Sequence, residues 1–188
     1  MAVKVAVLKN KEVLVGVTGS IAAYRAADLV SSLTKAGAKV TVIMTKAACA
    51  FITPLTLQTL SHQQVFTDLF ETNQDFDPQH ISLVERADVL VIAPATANII
   101  GKITAGIADD FISTVVMAMK KPVLIAPAMN ENMWQNPIVQ KNITTLKKLG
   151  YKFINPEKGP LACRKEGEGR LAPVERIIDE IINILTRH

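Results

Sequence analysis

Short runs of consecutive apolar residues punctuate this chain, and each ends in a polar turn. Val13-Leu14-Val15-Gly16-Val17, Lys39 to Met44, Ala87 to Ala93 and residues 122–126 are continuous rather than alternating in hydrophobicity. That pattern belongs to strands buried on both faces. Val65-Phe66 and Tyr151 to Ile154 give two further short strands. Between the runs the spacing becomes helical. Ala22, Ala26, Leu29, Val30 and Leu33 keep one face, Ser20 stands ahead of them as an N-cap, and Gly37 marks the stop. Thr45 to Ala48 turns into a short helix, and Thr53-Pro54 opens another, Pro being favoured at the first helical position. A short segment runs from His80 to Arg86. One helix follows 94–98 and reaches Ile103; another follows Gly106 to Asp110 and reaches Met119. Asn136-Pro137 starts a helix with Val139, Ile143, Leu146 and Leu149 inward, stopped by Gly150. Pro173 to Leu185 closes the chain, with Ile177, Ile178, Ile181, Ile182 and Leu185 on one face. Residues 61–79 are otherwise polar and unassigned. Residues 155–172 read as a Gly- and charge-rich loop, and 1–10 as an extension that begins strand-like.

Strands alternating with helices imply βαβ units and a mostly parallel sheet. The expected fold class is α/β: a Rossmann-like or flavodoxin-like parallel sheet with helices on both faces, in three layers and one domain over residues 1–188. The polar turns 18–20, 94–98 and 127–134 all follow strand carboxyl ends. They should converge on one sheet edge, which is where ligands bind in open α/β sheets.

Composition narrows the class. Apolar residues make up 49% of the chain and aromatics only 5%, so the core is aliphatic, as a helix-covered parallel sheet requires. The balance of 21 basic against 17 acidic residues is mildly basic, and basic residues cluster only in pairs. Nucleic-acid binding needs a denser stripe or a motif. No apolar run is long enough to span a bilayer, and the start lacks a signal-peptide pattern. Cys49 and Cys163 are far apart and show no zinc spacing. A cytoplasmic protein with free thiols and no metal is the expectation.

The candidate chemistry lies in the turns. Pro127-Ala128-Met129-Asn130-Glu131-Asn132-Met133-Trp134 holds the only Trp and two of the six Met. Asn130 at the end of a buried strand is a candidate substrate-facing amide, and equally a helix N-cap. Gly16-x-x-Gly19 is not a dinucleotide fingerprint, and Ile43-Met44-Thr45 offers no acid for a ribose hydroxyl. The turns offer hydroxyls at helix starts instead: Ser20, Thr45, Thr96, Ser113 and Thr114. These suit a single phosphate, so a mononucleotide such as FMN fits better than NAD. Each is also an ordinary cap when taken alone.

Three ordered motifs resemble the flavoprotein family of cysteine decarboxylases, and within it the branch serving coenzyme A biosynthesis. Gly16 to Tyr24 is similar to the first flavin loop. Pro94-Ala95-Thr96-Ala97-Asn98 is similar to the second motif, with Ile99 where the family usually has Thr. Pro127 to Trp134 matches Pro-x-Met-Asn-x-x-Met-Trp at every fixed position. The resemblance implies bound FMN, with Gly19, Ser20, Ile21, Thr45, Pro94, Ala95, Thr96, Asn98, Ser113 and Thr114 near it. It implies that His80 is the active-site histidine, acting as acid/base or orienting the substrate, and that Asn130 holds the substrate carboxylate, beside Met133. Ala162-Cys163 resembles the start of a mobile loop, Ala-Cys-Gly-Asp-x-Gly-x-Gly-Arg. Here Gly-Asp is replaced by Arg164-Lys165, which adds two positive charges. In that loop Cys163 would be the proton donor and Ala162 a substrate contact.

The implied reaction oxidises a cysteine-derived thiol to a thioaldehyde, which is an electron sink β to the carboxylate. Decarboxylation then gives an enethiol that is re-reduced. The implied partners are a phosphorylated small-molecule substrate, further copies of the chain in a homo-oligomer (trimer or dodecamer), and a synthetase, fused or separate. A peptidyl-cysteine decarboxylase would not need Cys163, a flavin prenyltransferase would not need the Met-Asn-x-x-Met-Trp stretch, and a non-catalytic regulatory subunit would not need His80, Asn130 and Cys163 together.

Overall fold

The computed structural model describes residues 6–69, 79–160 and 166–187, and for Gln79 and His80 the main chain alone. The continuous apolar runs form one parallel sheet. Its strands are β1 (Glu12–Val17), β2 (Lys39–Met44), β3 (Val65–Phe66), β4 (Val89–Ala95), β5 (Val123–Pro127) and β6 (Lys152–Phe153). Their spatial order is β3-β2-β1-β4-β5-β6, and all neighbours run parallel. The order reverses direction between β1 and β4, so a crevice opens beyond their carboxyl ends.

The helices are α1 (Arg25–Lys35), α2 (Lys46–Cys49), α3 (Pro54–Ser61), α4 (Gln79–Arg86), α5 (Ala97–Ala105), α6 (Phe111–Ala118), α7 (Glu131–Trp134), α8 (Pro137–Lys148) and α9 (Val174–Thr186), with a 3-10 turn at Ile21–Tyr24 before α1. Alternate residues of each strand feed opposite cores. Val13, Val15, Val17 and Val91 pack with α1 and α9, while Leu14, Leu90, Ile92 and Ile125 pack with α5, α6 and α8. This is the three-layer α/β sandwich that the uninterrupted apolar runs require.

The helix starts follow the capping signals. Thr45, Thr96, Asp110, Asn130 and Asn136 each accept a first-turn N–H, and Pro54 and Pro137 occupy the first helical turn. Four sequence expectations change. Residues 155–172 are not simply a loop: β7 (Glu157–Pro160) and β8 (Glu166–Arg170) form an antiparallel hairpin outside the main sheet. β4 continues through Pro94 and Ala95, because Ala95 pairs with Pro127 after a register irregularity. Residues 6–8 are helical rather than extended, with Leu8 buried in the core. Leu149 is 69% exposed, because α8 ends at Lys148 and Leu149 occupies the cap position beyond its inward face.

Candidate functional site

Thr18 closes the gap between β1 and β4. It is buried; its hydroxyl donates to the Pro94 carbonyl at 2.8 Å and accepts the Thr96 N–H at 3.0 Å. The carboxyl ends of β1 and β4 are thus pinned at the point where the strand order reverses. The sequence pattern marked the turn but not Thr18 itself, since its partners lie 76 and 78 positions away.

The next residue shows why the loop is tight. A Cβ on Gly19 would stand 2.5 Å from Cβ of Ala47, at the start of α2. Only Gly lets the two turns meet. Around that contact, Ser20 accepts the Ala22 N–H at 3.3 Å, Thr45 the Ala48 N–H at 3.2 Å, and Thr96 the Ile99 N–H at 3.3 Å. The hydroxyls expected at these turns therefore all serve as caps, and the helix starts they cap face a common crevice.

Two cavities open there and share Gly19 and Thr96. One, of about 480 Å³, takes in Thr18, Thr45, Asn98 and Lys102. The other, of about 590 Å³, takes in Ser20, Ile21, Asn130, Met133 and Arg170. Both lie within the usual range of cofactor and substrate sites, about 300–1,000 Å³. In the first, Lys102 Nζ lies 2.6 Å from Asp109 and 2.7 Å from Asp110. Hydrogen bonds to Asp109, then Asp110, raise its pKa. Burial pushes Asp110 upward, but hydrogen bonds from Lys102 and Ser113 outweigh it and hold the carboxyl below its ordinary value. Because the lysine is matched by carboxylates, an anion in this cavity would be held mainly by N–H groups at helix starts, α5 above all.

In the second cavity, Asn130 caps α7, with its Oδ1 accepting the Asn132 N–H at 2.9 Å. Hairpin β7–β8 docks on the same stretch. Met129 N–H donates to the Gly169 carbonyl at 3.0 Å, and Glu168 N–H donates to the Glu131 carboxylate at 3.0 Å. Gly169 has φ +145°, and a Cβ there would collide with the Met129 carbonyl oxygen. The hairpin arms, Pro160 and Gly169-Arg170, form one wall. Trp134 is buried below as packing, whereas Met133 is 47% exposed on the cavity side.

The expected site residues fall into groups. Gly19, Ser20, Ile21, Thr45, Thr96, Asn98, Asn130 and Met133 line the two cavities. Pro94 and Ala95 are buried in β4 and contribute main-chain carbonyls, to Thr18 and to Ala128 N–H respectively. Ser113 and Thr114 line neither cavity: the Ser113 hydroxyl completes a capping box with Asp110, and Thr114 bonds the Ala108 carbonyl. The main chain of His80 lies in the first turn of α4. Ala162 and Cys163 lie outside the described residues. Thr18, Lys102, Asp110 and Arg170 are among the cavity residues that sequence patterns did not single out as site residues. Among the described residues no cluster of metal-ligating side chains occurs, and no helix is long and apolar enough to cross a membrane.

A family model described as Flavoprotein matches residues 4–186. The chain belongs to the flavoprotein family. Within this flavoprotein family, a probable phosphopantothenoylcysteine decarboxylase of Streptococcus mutans serotype c is 47% identical over 177 residues, covering 92% of this chain and 97% of that protein. The coenzyme A biosynthesis bifunctional protein CoaBC of Bacillus subtilis is 48% identical over 171 residues, covering 91% of this chain and 42% of that protein. The chain therefore spans less than half the length of the bifunctional relatives it matches first. Two solved flavoprotein structures share the fold. A cysteine-to-serine variant of PPC decarboxylase complexed with pantothenoylaminoethenethiol has a TM-score of 0.82 and 34% identity, covering 92% of this chain and 97% of that one. The FMN-binding protein AtHal3 has a TM-score of 0.85 and 32% identity, covering 96% and 99%.

Proposed function

We propose that this chain is an FMN-dependent decarboxylase, a single flavin-binding domain that converts 4′-phosphopantothenoylcysteine to 4′-phosphopantetheine in coenzyme A biosynthesis. One observation carries the reading. The first flavin loop, Asn130 and the hairpin arms at Pro160 and Gly169-Arg170, which flank the Cys163 segment in sequence, all border one cavity. The names of the full-length relative and of the liganded structure support the substrate, and the FMN-binding structure supports the cofactor.

The residues present fit FMN. Gly19 leaves no room for a side chain between the two turns, the start of α5 offers N–H groups to a phosphate, and the two joined cavities are large enough. When bound, FMN supplies reversible two-electron hydride chemistry. The protein positions and protonates. Asn130 carries amide N–H groups that hold the substrate carboxylate, and its capping role fixes where they stand. His80 serves as acid/base or orients the substrate thiol end. Cys163 donates the proton that must accompany a returned hydride when the enethiol becomes the saturated thiol. The hairpin covers the reacting carbon and keeps water from it. The chain works in the cytoplasm as a homo-oligomer, a trimer or dodecamer, alongside a phosphopantothenoylcysteine synthetase, a reading supported by relatives that are bifunctional proteins of coenzyme A biosynthesis.

The test is paired. The purified protein, supplied with FMN, should show flavin absorbance after desalting, and a colourless protein sinks the flavin assignment. Cys163→Ser should still release carbon dioxide from phosphopantothenoylcysteine while an unreduced enethiol accumulates. Normal phosphopantetheine from that variant removes Cys163 from the mechanism.

A further inference from the structure

We propose that Arg170 reads the phosphate of the substrate and so sets the enzyme's preference for a phosphorylated over an unphosphorylated thiol. The inference rests on the decarboxylase reading above and adds a specificity residue to it.

Among the described residues lining the 590 Å³ cavity, Arg170 is the one that carries a charge. Among the described residues it has no ion-pair partner, although Glu157 stands directly opposite it in the β7–β8 ladder. Its side chain instead lies along Gly159, where a Cβ would meet Nη1 at 3.5 Å and Cδ at 3.6 Å. A glycine opposite thus gives the guanidinium a flat bed. An exposed guanidinium with no ion-pair partner among the described residues, bordering a cavity whose other described lining residues are uncharged, is a ready fork for a phosphomonoester.

Position separates this group from the carboxylate end of the substrate. β8 bonds Met129 along one edge, next to Asn130, and bonds β7 along the other, where Arg170 lies over Gly159. A carboxylate on Asn130 and a phosphate on Arg170 would therefore lie on opposite sides of the strand. The carboxylate and the phosphate stand at opposite ends of phosphopantothenoylcysteine. The same cavity is also lined by Ile21 and Met133, 59% and 47% exposed, suited to the uncharged pantothenoyl chain. The other phosphate at hand, that of FMN, is accounted for by the helix starts around Gly19 and Thr96 in the neighbouring cavity.

The experiment compares kcat/KM for phosphopantothenoylcysteine and for pantothenoylcysteine in the wild type, Arg170→Gln and Arg170→Lys, with flavin content and thermal midpoint measured on each protein. In Arg170→Gln the preference for the phosphorylated substrate should fall about 10- to 100-fold, as expected for losing a bidentate charged contact, and mainly through KM. Arg170→Lys should keep part of the preference, and all three should hold equal FMN. An unchanged preference in Arg170→Gln overturns the assignment. So does a variant that loses FMN while keeping its preference, since the guanidinium would then serve the flavin phosphate. A wild type that releases carbon dioxide from neither thiol overturns the decarboxylase reading itself, an outcome distinct from both.

Discussion

Replacing Gly169 by Ala tests whether the hairpin is held by backbone contacts with the Asn130 stretch. Among the described residues, Met129 N–H to the Gly169 carbonyl and Glu168 N–H to the Glu131 carboxylate fasten it. The first contributes about 1 kcal/mol and the second, charge-assisted, about 1.5–3 kcal/mol, together about 2.5–4 kcal/mol. A two-stranded hairpin has little stability of its own, so this docking decides its position. Ala at φ +145° costs about 1–3 kcal/mol. Its methyl group also collides with the Met129 carbonyl, a main-chain atom that cannot rotate aside, so the bond at Met129 is lost as well. The losses match the docking energy, and the undocked population should rise from about 1% to half or more. Gly167→Ala tests the other clasp: a Cβ there meets the Glu131 carboxylate at 2.7 Å and pushes that flexible side chain off the Glu168 N–H. Hydrogen exchange at the Glu168 amide should speed up in both variants, and at the Met129 amide more strongly in Gly169→Ala, with kcat/KM falling in both. Since β7 and β8 stand outside the main sheet, the thermal midpoint should move by less than about 4 °C. Unchanged exchange and activity in Gly169→Ala refute the docking argument, and so does loss of protection throughout β4 and β5.

Asn130→Asp and Asn130→Ala separate cap from clamp: Asp should keep α7 and the thermal midpoint but lose at least about 100-fold in kcat/KM by repelling the substrate carboxylate, while Ala costs about 1 kcal/mol of stability as well; an active Asp variant refutes the clamp. Thr18→Val strands the Thr96 N–H and loses the bond to Pro94 inside the crevice, which should cost about 2–4 kcal/mol, lower the thermal midpoint by about 5–10 °C and weaken FMN retention; equal midpoints by calorimetry would show that the bridge is idle. Asp110 has a depressed pKa, so its contribution is present above the ordinary value of 3.8 and is lost as pH falls through the lower folded value. The stability gap between wild type and Asp110→Asn in denaturant titrations should therefore be full near pH 6 and shrink below about pH 4, and a gap that widens on acidification contradicts the sign.

The sequence made the main sheet legible because its signals are local. Continuous Val, Ile and Leu runs can only be strands covered on both faces, and caps such as Thr45, Thr96 and Asn136 announce helices within three residues of themselves. The convergence of the 18–20, 94–98 and 127–134 turns followed from that, and β1, β4 and β5 are adjacent as required. The hairpin stayed hidden because Glu157-Lys158-Gly159-Pro160 and Glu166-Gly167-Glu168-Gly169-Arg170 have no apolar alternation. They form strands because Met129 and Glu131 supply partners from another part of the chain. The same non-local cause hid Thr18, whose hydroxyl acquires meaning only beside Pro94 and Thr96. Leu149 misled because helical spacing continues past the residue where the helix stops.

The way β8 is fastened has a consequence for redesign. Among the described residues, the bonds that anchor it to the Asn130 stretch come from the main chain of Met129, Glu168 and Gly169 and from one carboxylate on Glu131. A directed search for altered thiol substrates should therefore leave Gly167, Gly169 and Glu131 in place, since changing any of them disturbs the seat of the hairpin arms.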